Sequence, residues 1–95
     1  MKVKILAIVT TNRFEKDVKL ARKRGKDLSK LRTVMTLLLE GQKLPHKYFD
    51  HWLTGNYNDR RECHIGPDWL LIYKPESKEI IFERTGTHSD SDLFK

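Results

Sequence analysis

Two short turn sequences divide the last third of the chain into three apolar segments. The first turn is Gly66-Pro67, and the second covers residues 75–78. The segments around them, residues 62–65, 68–74 and 79–85, are rich in aliphatic and aromatic side chains, which favours strands. Connections this short can join only antiparallel neighbours, because a parallel pair needs a long crossover. The sequence therefore predicts a three-stranded antiparallel meander.

The part of the chain before the meander predicts one strand and two helices. Residues 3–9 are apolar and β-branched, and the Thr-Thr-Asn cluster after them can cap a helix. Apolar residues then recur at helical spacing in two stretches, which end at Gly25 and Gly41. Residues 42–61 have no clean period and are expected to form a long, ordered loop. We expect a single α+β domain over residues 1–95, in the order β-α-α-β-β-β, with an antiparallel sheet packed against a helical hairpin.

The charge of the chain indicates a polyanionic partner. The net charge is +6, and residues 13–32 carry all of the excess. Clustered Lys and Arg residues bind nucleic acids by displacing counterions from the phosphates. An anionic membrane surface is the weaker alternative, because it would need a much larger amphipathic helix. The outward face of the first predicted helix supplies the candidate RNA-binding residues Lys16, Lys19, Lys23 and Arg24.

The cysteine count, the lengths of the apolar runs and the size of the core indicate the cellular compartment and the kind of site. Cys63 is the only cysteine, so no intramolecular disulfide can form and a reducing cytoplasm is expected. No apolar run reaches the length of a signal-peptide core or a membrane span. So small a core leaves little room for a deep cofactor cavity. We therefore expect no cofactor and an open groove as the place of any chemistry.

Five polar residues are candidates for chemistry, and a strand meander can bring four of them together. RNA cleavage needs a base for the ribose 2′-OH, an acid for the leaving 5′-oxygen and a cation for the phosphate. Histidine suits the first two roles, a carboxylate can orient its ring, and arginine suits the third. His64 and Asp68 flank the Gly66-Pro67 turn, while Arg84 and His88 end the strand that pairs with the one that Asp68 begins. The candidates are His51, His64, Asp68, Arg84 and His88.

The same residues have other interpretations. A lone histidine in a small basic protein is most often a bystander, and Arg84 could pair with Glu62 or Glu83 across the sheet. Trp69 could be a core anchor, although an exposed tryptophan would suit single-stranded RNA.

A metal site and a cysteine nucleophile are both disfavoured by spacing. Cys63 and His64 are neighbours on a predicted strand and should point to opposite faces. The sequence has no Cys-x-x-Cys or His-x-x-x-His spacing. No structural zinc site is therefore expected.

Four blocks of this sequence resemble YafQ-type toxins of the RelE superfamily. They are residues 16–21 (KDVKLA), 50–56 (DHWLTGN), 61–74 (RECHIGPDWLLIYK) and 82–88 (FERTGTH). The resemblance implies a RelE-like fold with a curved antiparallel sheet. It also implies a metal-independent endoribonuclease of a type II toxin–antitoxin system, which cuts mRNA in the ribosomal A site. A cognate antitoxin of the DinJ/RelB type would silence it, and operator DNA would be bound only by the toxin–antitoxin complex.

The resemblance also assigns roles to single residues. It implies that His51, His64, Asp68 and His88 transfer protons and that Arg84 contacts the scissile phosphate. Near the C-terminus, Phe94 matches an aromatic residue that holds a base.

The tail departs from the family pattern. The family usually has two residues between the last histidine and the Leu-Phe pair, whereas this chain has the four residues 89–92, two of them aspartates. The alternative prediction is therefore a catalytically weak nucleic-acid-binding relative that acts mainly with its antitoxin in operon repression.

Overall fold

The computed structural model describes residues 6–90. In this part of the chain, none of the helices is long and apolar enough to cross a membrane. Five strands form one sheet in the order β1-β5-β4-β3-β2. The elements are β1 (Ala7–Thr10), α1 (Asn12–Lys23), α2 (Leu28–Leu39), β2 (His51–Trp52), β3 (Arg61–Gly66), β4 (Trp69–Pro75) and β5 (Glu79–Gly86), with single 3-10 turns at His46–Tyr48 and Gly55–Tyr57.

The predicted α+β class and the predicted element order are confirmed, with two differences in the sheet. Strands β2 to β5 are antiparallel, but β1 lies parallel to β5. The chain leaves β1, passes through both helices and three strands, and returns beside it, so the direction of this edge pair is not set by a short turn. The second difference is β2, a two-residue strand on β3 within the segment predicted to be a loop.

Local hydrogen bonds explain where the helices begin and end. The Thr11 hydroxyl accepts a hydrogen bond from the Phe14 N–H (3.0 Å), so Thr11 is the N-cap of α1. Asp27 caps α2 by accepting from the Ser29 N–H (3.0 Å). Gly25, at φ 81°, follows α1 in the left-handed conformation that glycine tolerates.

The core lies between the helical hairpin and one face of the sheet. Inward-facing residues of β3, such as Cys63 and Ile65, alternate with the outward-facing Glu62 and His64. Among residues 6–90, the opposite face carries a small apolar cluster of Leu70 and Ile72 with Leu53 packed against it. The outward face of the sheet is therefore the place where polar side chains can assemble. The main core residues are Phe14, Leu31, Val34, Leu38, Leu71, Tyr73, Ile80 and Phe82.

Candidate active site

The register of the strands places the predicted residues on the outward face. Directly paired residues share a face, and so do alternate residues along a strand. One row crosses four strands through His51, Glu62, Ile72 and Arg84. The neighbouring row contains His64, Leu70 and Gly86. Strand pairing thus places three of the five candidates, His51, His64 and Arg84, in these two rows. Asp68 lies in the turn between β3 and β4, and His88 follows the end of β5.

Asp68 and His88 form a direct pair beside the β3–β4 turn. The His88 Nδ1 lies 2.7 Å from Asp68 Oδ1, and the His88 backbone N–H donates to the same oxygen at 3.2 Å. The hydrogen bonds from the His88 side chain and backbone lower the pKa of Asp68 below its ordinary value. An ionised Asp68 accepts from Nδ1–H, which leaves Nε2 to exchange a proton with a substrate. Both side chains are 57% exposed, so the pair is open to a large ligand.

His64 and His51 complete the cluster around a shared carboxylate. The His64 ring centroid lies 5.7 Å from that of His88. Glu62 Oε1 lies 4.0 Å from His64 Nε2 and 3.4 Å from His51 Nε2. Glu62 thus connects the two histidines, although sequence reasoning considered it only as a partner for Arg84. Its position two residues before His64 on one strand was the available signal.

The His51 ring lies between two hydrogen-bond acceptors. Its Nδ1 is 2.7 Å from the carbonyl oxygen of Phe49, and its Nε2 faces the Glu62 carboxylate. A carbonyl can only accept, so Nδ1 donates to it, and Nε2 is placed to donate to the Glu62 carboxylate or to a ligand. This arrangement suits a proton donor.

Arg84 is oriented towards α1 by a two-point ion pair. Its Nε lies 2.7 Å from Asp17 Oδ2 and its Nη2 lies 3.2 Å from Asp17 Oδ1. The partners considered from sequence were Glu62 and Glu83, and neither forms this pair. Glu83 instead binds the Arg60 Nε at 2.6 Å. Asp17 was missed because it precedes Arg84 by 67 residues.

The basic residues predicted to bind RNA lie on the surface, as their outward placement on the first helix predicted. Lys16, Lys19 and Lys23 are exposed on α1. Arg24 is also exposed, but its guanidinium contacts the Asp90 carboxylate at 3.3 Å.

The RNA-binding predictions for Trp69 and Phe94 have different outcomes. Trp69 is only 4% exposed, and its Nε1–H donates to Thr85 Oγ1 at 2.9 Å. The interpretation of Trp69 as an RNA-stacking residue does not fit this burial, because its ring belongs to the core. Phe94 lies outside the described residues.

A basic groove leads away from the histidine cluster. A cavity of about 510 Å³ is lined by His64, Tyr48, Lys30 and Lys47. A second cavity of about 300 Å³ shares Lys30 and the Gly66-Pro67 turn with it and continues to Lys26 and Asp68. The groove therefore passes over the turn between the two ends of the site. Sequence reasoning did not single out Lys30 or Lys47, because lysines give no spacing signal on their own.

Neither a metal cluster nor a reactive thiol accompanies this site in the described part of the chain. Residues 6–90 contain no group of three or more His, Cys, Asp and Glu side chains placed to hold a metal ion. Cys63 is buried in the core, and burial strongly raises the pKa of its thiol. The thiol is thus kept protonated and shielded, which does not suit a nucleophile.

Comparisons with known proteins identify the family of this chain. A family model described as "Bacterial toxin of type II toxin-antitoxin system, YafQ" matches residues 6–95. The mRNA interferase toxin YafQ of Escherichia coli strain K12 is 50% identical over 80 residues, which are 83% of this chain and 87% of the relative.

Two solved structures share the fold over nearly their whole length. A chain in the crystal structure of the E. coli DinJ-YafQ toxin-antitoxin complex superposes with a TM-score of 0.85 at 47% identity, covering 95% of this chain and 98% of that one. A metal-bound toxin from Helicobacter pylori superposes with a TM-score of 0.85 at 41% identity, covering 95% of this chain and 100% of that one. The chain therefore belongs to the YafQ family of toxins of bacterial type II toxin–antitoxin systems.

Proposed function

We propose that this chain is a ribosome-dependent endoribonuclease that cuts mRNA and so stops translation in the cytoplasm. The observation that carries the proposal is the meeting of His51 and His64 with the Asp68–His88 pair at an open, basic rim of the sheet. The name of the E. coli relative, mRNA interferase toxin YafQ, supports RNA as the substrate.

The geometry supports the assignment of the base and the acid to two different histidines. Asp68 holds His88 with Nδ1 protonated, so the Nε2 lone pair can take the proton of a ribose 2′-OH. The 2′-oxygen then bonds to phosphorus while the bond from phosphorus to the 5′-oxygen breaks, which leaves a 2′,3′-cyclic phosphate. His51, between its two acceptors, returns a proton to the 5′-oxygen. His64 lies between them and is suited to bind the phosphate when it is protonated.

Arg84 contributes charge from one end of the row that crosses the sheet. Because Asp17 orients its guanidinium, Arg84 acts in this proposal from a fixed position. An arginine held in this way can stabilise the extra negative charge of the pentacoordinate phosphorus without reorganising. These groups supply the base, the acid and the cation, so we propose that cleavage needs no metal and persists in a chelator.

Two basic surfaces divide the binding of RNA in this proposal. The groove formed by Lys26, Lys30 and Lys47 leads into the histidine cluster and suits the mRNA strand. The exposed α1 lysines lie on another surface and suit ribosomal RNA, since an enzyme acting on ribosome-bound mRNA must also contact the ribosome. The salt dependence of binding should then contain contributions from both surfaces.

The proposed protein partner is a cognate antitoxin of the DinJ/RelB type. The E. coli relative is bound to DinJ in a solved complex. Any binding of operator DNA would belong to the toxin–antitoxin complex.

A second candidate function is suggested by the tail. Asp90 lies in the four-residue segment that departs from the family pattern, and its carboxylate binds Arg24, a candidate RNA-binding residue. An acidic side chain at this position opposes RNA binding. The second candidate is therefore a weakly catalytic relative that acts mainly with its antitoxin in operon repression.

Mapping of cellular mRNA 5′ ends tests the proposed function. Shortly after induction of the wild-type chain, new ends should arise inside coding sequences and in phase with the reading frame. They should be absent after induction of His88→Ala at equal protein levels. Intact transcripts with the wild-type chain, together with operator binding by its antitoxin complex, would instead establish the second candidate.

A further inference from the structure

Phe49 adopts a backbone conformation that is unfavourable for its residue type. Its φ is 50° and its ψ is 46°, in the left-handed region. Among residues 6–90, it is the only non-glycine residue with a positive φ. A bulky side chain rarely adopts this conformation, and such strain is concentrated at functional sites.

The strained backbone places two parts of Phe49 against the histidine cluster. Its carbonyl oxygen reaches His51 Nδ1, as described above. Its ring centroid lies 5.4 Å from the His51 ring and 5.5 Å from the His64 ring, nearly perpendicular to the latter. The ring therefore stands directly beside the groups that are positioned to act on a ribose and its phosphate.

The Phe49 ring is not part of the core. Phe49 as a residue is 66% exposed, whereas the preceding Tyr48 packs against the core cluster. Exposure of a phenyl ring to water is unfavourable. A flat ligand that covers the ring would therefore gain binding free energy. The basic groove beside His64 fits a chain of phosphates, so a base attached to that chain would arrive next to the ring.

We propose that Phe49 is a nucleobase-binding platform of this site, on which a base flanking the scissile phosphate stacks. The proposal rests on the ribonuclease function proposed above and adds a residue that positions the substrate and discriminates among codons. Stacking on a phenyl ring accepts every base but favours those with the larger π-face. A purine beside the cut is therefore preferred. RNA is favoured over an antitoxin segment as the occupant because the ring contacts His51 and His64, the histidines proposed to protonate the 5′-oxygen and to bind the phosphate.

The test separates the ring from the backbone strain. Phe49→Asn removes the ring while keeping a residue that tolerates the left-handed conformation, and Phe49→Gly does the same without any side chain. Phe49→Tyr keeps the ring. The matched control is Trp52→Ala, because Trp52 is 54% exposed in the same segment, while its ring is covered by the Arg61 guanidinium at 4.7 Å.

The first measurement is the rate of mRNA cleavage on ribosomes programmed with defined codons. Phe49→Asn and Phe49→Gly should lower kcat/KM by ~10–100-fold, the range expected for one lost base–aromatic stack. They should also reduce the preference for purines and leave the shape of the pH–rate profile unchanged. Phe49→Tyr should stay within about threefold of the wild type, as expected for a residue that stacks through its ring. Trp52→Ala should behave like the wild type.

The second measurement detects stacking without cleavage. An mRNA carries 2-aminopurine at one codon position at a time, and a 2′-O-methyl group blocks attack at the scissile ribose. The wild type should quench the fluorescence at one position, and Phe49→Asn should not. Quenching without cleavage of unmodified mRNA would overturn the ribonuclease function but not the platform.

Other outcomes overturn the platform alone. These are wild-type cleavage and quenching by both ring-deleting variants, or an equal loss in Trp52→Ala. Normal cleavage by Phe49→Asn with weakened antitoxin binding would assign the ring to the protein partner instead.

Discussion

Asp17 on α1 holds Arg84 on β5 while also accepting a hydrogen bond from the Thr85 backbone N–H at 3.1 Å. Strand β1 pairs with β5 only as far as Phe82, so beyond that point Asp17 takes over the role of a strand partner. One carboxylate thus closes the exposed edge of the sheet and fixes the only arginine assigned to the phosphate. Both side chains are largely buried, which makes the pair sensitive to the loss of either partner.

Removal of the Asp17 charge should destabilise the fold. We expect Asp17→Asn to lower the free energy of unfolding by about 2–4 kcal/mol, because a largely buried guanidinium loses its counter-charge. Lys16→Ala, at the exposed neighbouring position, should change it by less than ~0.5 kcal/mol. Urea denaturation measures both, and equal losses would contradict the role of the pair. Arg84→Ala should also destabilise, so phosphate binding is better tested with Arg84→Lys, which keeps the charge.

The Asp68–His88 pair should contribute to stability in a defined pH range. Hydrogen bonds from His88 hold the pKa of Asp68 below its ordinary value of 3.8, so the unfolded chain binds protons more readily than the folded one. The contribution is therefore complete above the ordinary pKa and is lost as the pH falls through the lowered value. Asp68→Asn should reduce Tm slightly near neutral pH, and this deficit should shrink as the pH falls below 3.8. A deficit that stays the same size as the pH falls would contradict this linkage.

The pH dependence of cleavage should separate the two outer histidines. If His88 is the base and His51 the acid, His88→Ala removes the acidic limb of the kcat profile and His51→Ala removes the basic limb. Each substitution should lower kcat by ~10²–10⁴-fold. His46 is exposed and outside the cluster, so His46→Ala is the control that should leave both limbs unchanged. Loss of the opposite limbs would reverse the assignment.

The contact between Arg24 and Asp90 predicts that the tail weakens RNA binding. Asp90→Asn should release Arg24 and remove one negative charge beside the site, while costing less than about 1 kcal/mol of stability. We expect ribosome binding to tighten a few-fold and its dependence on salt to become steeper, as for one added phosphate contact. Filter binding over a salt series measures this, with Ser89→Ala as the control. Unchanged binding would show that the contact has no influence on RNA.

The groove lysines should act differently from the α1 lysines. Lys30→Ala with Lys47→Ala should impair cleavage of mRNA that is already placed on the ribosome, because these side chains border His64. Lys19→Ala with Lys23→Ala should mainly weaken ribosome binding. Each pair of substitutions should reduce the magnitude of the slope of log Kobs against log salt concentration by roughly one to two. Single-turnover kinetics measures the first effect and ribosome sedimentation the second. Identical behaviour of the two double variants would show that the two surfaces do not have separate roles.

The sequence by itself determined the element order and predicted that four polar residues converge at one rim of the sheet. Turn residues and apolar periodicity are local signals, so they predicted the helices, the meander and the approach of His64, Asp68, Arg84 and His88. The four blocks similar to the family added His51, in the long loop, and favoured the ribonuclease interpretation of all five residues over the others.

Only the tertiary structure decided how distant segments meet. The parallel pairing of β1, the Asp17–Arg84 pair and the burial of Trp69 depend on which edge of the sheet lies beside α1, and no local periodicity encodes that edge. The same holds for Glu62 between two histidines and for the left-handed backbone at Phe49. Contacts between elements arise from packing of the whole domain, which can override the preferences of single residues.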